Sequence, residues 1–282
     1  MHFRVLVEYS DKLKRVRSKI AKIDLIVDLL RRLGREEVRI GVPFIEGRIR
    51  QGRLSIPWKG LAVLLTVPYR KSAPVRLGEV DDFLEKVKAA KGRKKIETLQ
   101  PLFAKMRNEE RLHLVALITQ EVQQGAAEGL VKLSIAKLFG LSDEEIEQAQ
   151  LRKPDLAEQF ALLSDQGSAA IGRIGMKVFS PVKPMLAQIS TSLDELFAEN
   201  EELAIEHKLD GIRIQVHRDQ EEVKIFSRHL KDITGHFPEL VDVARNLPVD
   251  RYILDGEAIG VDDEGRAVPF QVLARRTTRK KD

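Results

Sequence analysis

Glu206-His207-Lys208-Leu209-Asp210-Gly211-Ile212-Arg213 sets one lysine among apolar residues that alternate as in a strand, then turns on Asp-Gly. A lysine amine is protonated at neutral pH and is a poor nucleophile. Desolvation, or a cation beside it, lowers its pKa and frees the lone pair. Leu203, Ile205, Leu209 and Ile212 are the residues that would supply apolar surroundings. The commoner fate of a strand lysine is to snorkel to water. A Lys-x-Asp-Gly match is short enough to arise by chance, so Lys208 needs neighbours before it carries a reaction.

Those neighbours follow in order. Arg228, after Phe226-Ser227, could pair with phosphate. Leu254-Asp255-Gly256-Glu257 ends a further strand and sets a carboxylate where it could meet a ribose hydroxyl or a metal. Phe270-Gln271-Val272-Leu273 offers an aromatic face on which a base could stack. Each has a plainer reading: a surface arginine, an exposed acid, a core phenylalanine. Together, their order and spacing are hard to reach by chance.

The elements that must position them change character near residue 170. Before it the apolar spacing is helical. Leu13, Val16, Ile20, Ile23 and Val27 recur at three and four residues, Leu30 follows, and Gly34 is a stop signal. Asp81 to Ala90, Ile96 to Met106, Glu109 to Gln123 and Val131 to Phe139 repeat the pattern. Ser142 with Glu145 is a capping box that opens another helix. Gly41 to Gly60 is expected to hold loops between short helices. Residues 165–184, with Gly167, Gly172, Gly175, Pro181 and Pro184, read as a linker. Afterwards the period shifts towards two. Leu203 to His207, Ile212 to His217, Val223 to Ser227 and Tyr252 to Gly260 are strand candidates, with Arg218 to Glu222 as a hairpin loop. Leu193 to Ala198 and Pro238 to Arg245 read as helices.

At 282 residues the chain has room for two domains. Its 43% hydrophobic and 32% charged residues fit a soluble globular protein. No apolar run has transmembrane length, and no signal peptide opens the chain. The absence of cysteine excludes disulfides and Cys-based metal sites, and an intracellular, cytoplasmic location is the simplest reading. The net charge of +5 is modest, but the cations gather in Lys12 to Lys22, Arg31 to Arg35, Arg48 to Arg53, Lys86 to Lys95 and Arg275 to Lys281. Any one cluster could be a solvated helix face; five together point to a polyanion partner.

On these motifs the chain resembles ATP-dependent DNA ligases, in the covalent nucleotidyltransferase superfamily. Glu206 to Arg213 is similar to that family's first motif, and Phe226-Ser227-Arg228 through Phe237-Pro238 to the segment after it. Ile253-Leu254-Asp255-Gly256-Glu257-Ala258 is similar to the third motif, and Pro269 to Leu273 with Arg276 to the one that follows. Pro181-Val182-Lys183-Pro184-Met185-Leu186-Ala187 is similar to the approach to the adenylation domain. The resemblance implies that Lys208 attacks the α-phosphorus of ATP, expels pyrophosphate and holds AMP as a phosphoramidate. Glu206 would face the adenine edge, and Arg213 and Arg228 would hold phosphate and ribose oxygens. Glu257 would contact the ribose or help organise Mg²⁺, and Phe270 would stack on the base. Mg²⁺ would neutralise charge on the departing pyrophosphate. AMP would pass to the 5′-phosphate at a nick in duplex DNA, and a 3′-hydroxyl would displace it.

The first half resembles the helical DNA-binding domain of larger ligases through Gln51 to Trp58 and Gln124 to Leu130. Gly52, Gly125 and Gly129 would let backbone approach phosphate, and Arg50 and Arg53 would add charge. Such contacts position a duplex without reading its sequence. The plainer reading of Gln51 to Trp58 is a packed turn with Trp58 in the core. The implied architecture is multidomain: an all-α helical DNA-binding domain over residues 1–172, then an incomplete α+β adenylation domain over residues 173–282. The sequence stops at Asp282, before the family's later motifs and OB-fold, so a fragment or a short, defective form is expected. His207 and His229 stand where the family more often has an aromatic residue and an asparagine. The rivals are an RNA ligase or capping-type enzyme, and a non-catalytic DNA-binding fragment. The long helical region before the lysine argues against the first. A monomer is expected.

Overall fold

The structure is a computed structural model that describes residues 1–185, 189–190, 192–199 and 202–278. Leu186 and Ala187 of the approach segment, and residues 279–281 of the last basic cluster, lie outside the described residues. The chain is rich in helix, with one small sheet, and divides into two units. One comprises Met1–Gln150 and Asp155–Ile174, the other Leu151–Pro154 and Gly175–Asp282. No described helix is long and apolar enough to cross a membrane.

The first unit carries α1 (Phe3–Arg15), α2 (Lys19–Arg31), α3 (Val38–Ile45), α4 (Trp58–Leu65), α5 (Leu77–Ala89), α6 (Lys94–Lys105), α7 (Asn108–Thr119), α8 (Glu128–Phe139), all but the last two residues of α9 (Asp143–Arg152), and α10 (Leu156–Gln166). The periodicity from Leu13 to Val27 does not form one helix. Val16 and Ser18 are extended, and the Ser18 hydroxyl accepts from the Ala21 N–H to start α2. The capping box at α9 forms reciprocally: Ser142 N–H donates to Glu145 at 2.7 Å, and Glu145 N–H to Ser142 at 3.1 Å. Gly41, expected in a loop, is buried inside α3. Phe3, Leu30, Phe44, Leu84, Phe103 and Ile135 lie in a single core. Buried Arg111 donates to the carbonyls of Phe103, Met106, Leu65 and Val67, and so ties together the ends of α4 and α6.

The second unit carries α11 (Leu193–Glu199), β1 (Ile212–Asp219), β2 (Glu222–Ser227), α12 (Pro238–Asn246), β3 (Arg251–Ala258) and α13 (Phe270–Thr278). The sheet is antiparallel, in the order β2-β1-β3. Asp219 pairs with Glu222, so Gln220 and Glu221 form a two-residue turn, with Gln220 at φ +54°. The strand expected over Leu203 to His207 is absent, and the described sheet has three strands, not four. No described segment pairs with residues 203–207, and a strand without a partner leaves its backbone unsatisfied. One sheet face buries Ile214 and Ile225 with Phe237, Ala244 and Leu273. Arg218 locks this layer by donating to Gln220, Ala244, Leu247 and Val249 carbonyls.

Candidate nucleotide site and nucleic-acid face

Strand alternation sorts the candidate residues of the second unit. Ile212, Ile214 and Val216 of β1 face the apolar core. Arg213, Gln215 and His217 therefore share the opposite face. In register, Arg213 stands against Glu257, and Gln215 against both Asp255 and Phe226. Asp255 and Glu257 join Arg213 on that polar face. Arg213 donates Nε to Asp255 at 3.2 Å and Nη2 at 2.7 Å, a two-toothed fork. That carboxylate also raises the guanidinium's pKa. Glu257 accepts the Gly211 N–H at 3.1 Å. Gly211 is required here, because a Cβ would run into the Ala258 carbonyl. Ile214 pairs with Ser227, the last residue of β2, and exposed Arg228 opens the turn that follows. Arg213, Asp255 and Glu257 thus gather where β1 begins and β3 ends, and Arg228 stands just past the end of β2.

Lys208 lies three residues before Gly211, in a segment without regular structure. Its side chain is 86% exposed and meets Asp210 at 3.5 Å. The expected apolar surroundings are not formed. Ile205 and Leu209 are themselves exposed, because no strand neighbour holds them against a core. Glu206 is exposed in the same segment. Phe270 opens α13 and is exposed, and Leu273 of that helix packs into the apolar face, opposite the one that carries Arg213. The ligand-side arrangement of Lys208, Glu206 and Phe270 expected from their motifs is therefore not assembled. Among the described residues, no group of three or more His, Asp or Glu side chains is arranged to hold a metal.

Asp255 was not singled out as a site residue on sequence, nor were Gln215 and His217. The signal was present: Arg213-x-Gln215-x-His217 is a polar stripe at strand spacing, set against Ile212-x-Ile214-x-Val216.

In the helical unit, the Gly47 loop touches Val122, and Gln124 donates to the Phe44 and Ile45 carbonyls. The two glycine-bearing loops are thereby neighbours. Gly52 has φ +69° and Gly125 φ +64°, and the Lys22 ammonium donates to the Gly125 carbonyl at 3.4 Å. Gly129 lies in the first turn of α8. Arg53 is exposed. Arg50 is already committed: it holds Asp81 at 2.7 and 2.5 Å and Glu85 at 3.0 Å. Gln51 is buried and bound to the same two acids. Trp58, expected in the core, is 60% exposed at the start of α4. Leu54 fills the core position that this turn supplies.

Comparison with known proteins agrees with these two halves. A model described as the N terminus of DNA ligase matches residues 62–136, and one described as the ATP-dependent DNA ligase domain matches residues 184–282. A probable DNA ligase of Anaeromyxobacter sp. (strain Fw109-5) is 36% identical over 287 residues, covering 100% of this chain and 55% of the relative. A probable DNA ligase of Saccharopolyspora erythraea is 35% identical, covering 94% of this chain and 53% of its own length. The chain thus spans about half the length of the curated relatives it matches. The solved structure Pmar-Lig_PreS3 shares the fold at a TM-score of 0.57 and 17% identity, covering 98% of this chain and 53% of that one. Matched along both halves, the chain belongs to the ATP-dependent DNA ligase family.

Proposed function

We propose that the chain supplies the DNA-holding and adenylating parts of an ATP-dependent DNA ligase. Residues 1–172 form a helical DNA-binding domain, and residues 173–282 form the N-terminal part of the adenylation domain. One observation carries this reading: Arg213, Asp255 and Glu257 meet at one end of the sheet, just beyond Lys208, and Arg228 follows the last residue of β2 at that same end. Two guanidinium groups suit phosphate oxygens, and a carboxylate suits ribose hydroxyls.

In the first step the neutral Lys208 amine attacks the α-phosphorus of ATP. An N–P bond forms, the bond to the bridging oxygen breaks, and pyrophosphate leaves with the electron pair. Lys208 is exposed before ATP binds, so bound nucleotide and the chain closing over it must desolvate the amine. Asp255 orients Arg213, whose remaining N–H groups face the phosphates. Glu206 reads the adenine edge and Phe270 stacks on the ring once the segments carrying them close. Mg²⁺, when bound, offsets charge on the leaving pyrophosphate. Glu257 is the carboxylate that would help hold it, since both oxygens of Asp255 are taken by Arg213. The 5′-phosphate of nicked duplex DNA then takes the AMP from Lys208, and the 3′-hydroxyl displaces AMP to close the backbone. Gly52, Arg53, Gly125 and Gly129 hold the duplex by its phosphates.

The test is incubation with α-labelled ATP and Mg²⁺, then denaturing electrophoresis. The parent is expected to carry acid-labile label, γ-labelled ATP to leave none, and Lys208→Ala to remain unlabelled. Label retained by Lys208→Ala would overturn the assignment. The exposure of Lys208 favours a second reading, a chain that holds duplex DNA without charging itself. That reading gives salt-dependent DNA binding and no label on either protein.

A further inference from the structure

Residues 179–182 lie along the polar face of β1, and two side chains pin them there. The Gln215 amide does the work of a strand partner: Oε1 accepts the Val182 N–H at 3.0 Å, and Nε2 donates to the Val182 carbonyl at 2.7 Å. Pro181 and Pro184 flank this point and have no N–H, so a regular ladder cannot form. His217 is fully buried, and its Nδ1 accepts the Phe179 N–H at 2.9 Å. That bond requires the Nε2–H tautomer, and Nε2 lies 3.4 Å from Gln215 Oε1, an acceptor. The four contacts agree on one amide orientation and one tautomer. Burial, which lowers the imidazole's pKa, keeps the ring neutral as this network needs. Phe179 is held at φ +66°, which a bulky residue seldom adopts unaided. The Lys224 ammonium sits 4.9 Å over its ring.

The direction of the segment supplies the consequence. Phe179 meets His217 and Val182 meets Gln215, so the chain runs antiparallel to β1, towards Arg213. We propose that Gln215 and His217 are positioning residues: they hold 179–182 on the sheet so that residues 183–185, which follow, wall the nucleotide site beside Arg213. The proposal rests on the adenylation reading above. Neither residue touches the reacting atoms, and both act through the backbone they hold.

The experiment measures self-labelling of the full chain against the concentration of α-labelled ATP. Gln215→Glu keeps the size but loses the donor to Val182. His217→Gln removes an acceptor at the Nδ1 position, and His217→Asn keeps one there. Gln215→Glu and His217→Gln are expected to raise half-saturating ATP about tenfold, equivalent to roughly 1.4 kcal/mol, with little change in the saturated rate. His217→Asn should stay near the parent, which a purely space-filling role does not predict. Amide exchange at Phe179 and Val182 should quicken in the first two variants only. Parent-like half-saturation in all three variants would overturn the positioning role and leave the adenylation reading intact. No labelling of the parent would overturn both. Should Gln215→Glu fail to fold, the contrast between the two His217 variants decides.

Discussion

Arg213 is gripped at two points by Asp255, and geometry, more than charge, is what the pair provides. Lysine keeps the charge but not the planar fork. Arg213→Lys is therefore expected to slow single-turnover self-labelling by about tenfold or more, the cost of one misplaced charge-assisted contact. A parent-like rate would remove Arg213 from the site. Glu46 gives a second residue-scale prediction. Its side chain is 4% exposed, and Arg48 Nη2 lies 2.6 Å away but outside good hydrogen-bond geometry. Burial outweighs that neighbour and pushes the carboxyl up to about 7, from 4.5. The folded chain then keeps a proton that the unfolded chain releases across this window. Stability contributed here falls as pH rises from 4.5 to about 7, by roughly 3 kcal/mol in total. Glu46→Gln should flatten that part of the pH dependence in denaturant melts; an unchanged slope would contradict it. Sequence alone singled out Arg213 and Glu257, because their types and spacing carry the information. It could not reveal that Arg50 is spent on Asp81, since that depends on a helix 31 residues away.

Arg218 shows how one side chain can finish several elements. It donates to four carbonyls across the β1–β2 turn, the end of α12 and the loop to β3. Arg218→Met would remove all four hydrogen bonds at once and should cost roughly 3 kcal/mol of the second unit's stability. Amide exchange in β1 reports this, and protection equal to the parent's would refute it. Most elements were legible because their own periodicity decides them. The helix from Val131, the β1–β2 hairpin and the Ser142 capping box are local facts. The failures were of another kind. Leu13, Val16 and Ile20 keep helical spacing across Ser18, so periodicity cannot register the cap that breaks the chain there. Leu203 to His207 alternates as a strand should, but alternation cannot supply the backbone it must pair with.

At the scale of the whole molecule, each unit has its own core. Changes in one are expected to leave the other's function in place. Duplex binding should thus fall steeply with salt in both the parent and Lys208→Ala. Arg53→Ala should lower the slope of log affinity against log salt by about one, and weaken binding equally across sequences. An unchanged slope would exclude Arg53 from the phosphate contacts. The central claim is the covalent role of Lys208. The most direct measurement is peptide mapping by mass spectrometry after incubation with ATP and Mg²⁺. AMP on the peptide containing Lys208, and on no other lysine, is the predicted result. AMP on a different residue, or none under conditions where the chain is folded and binds ATP, would contradict it.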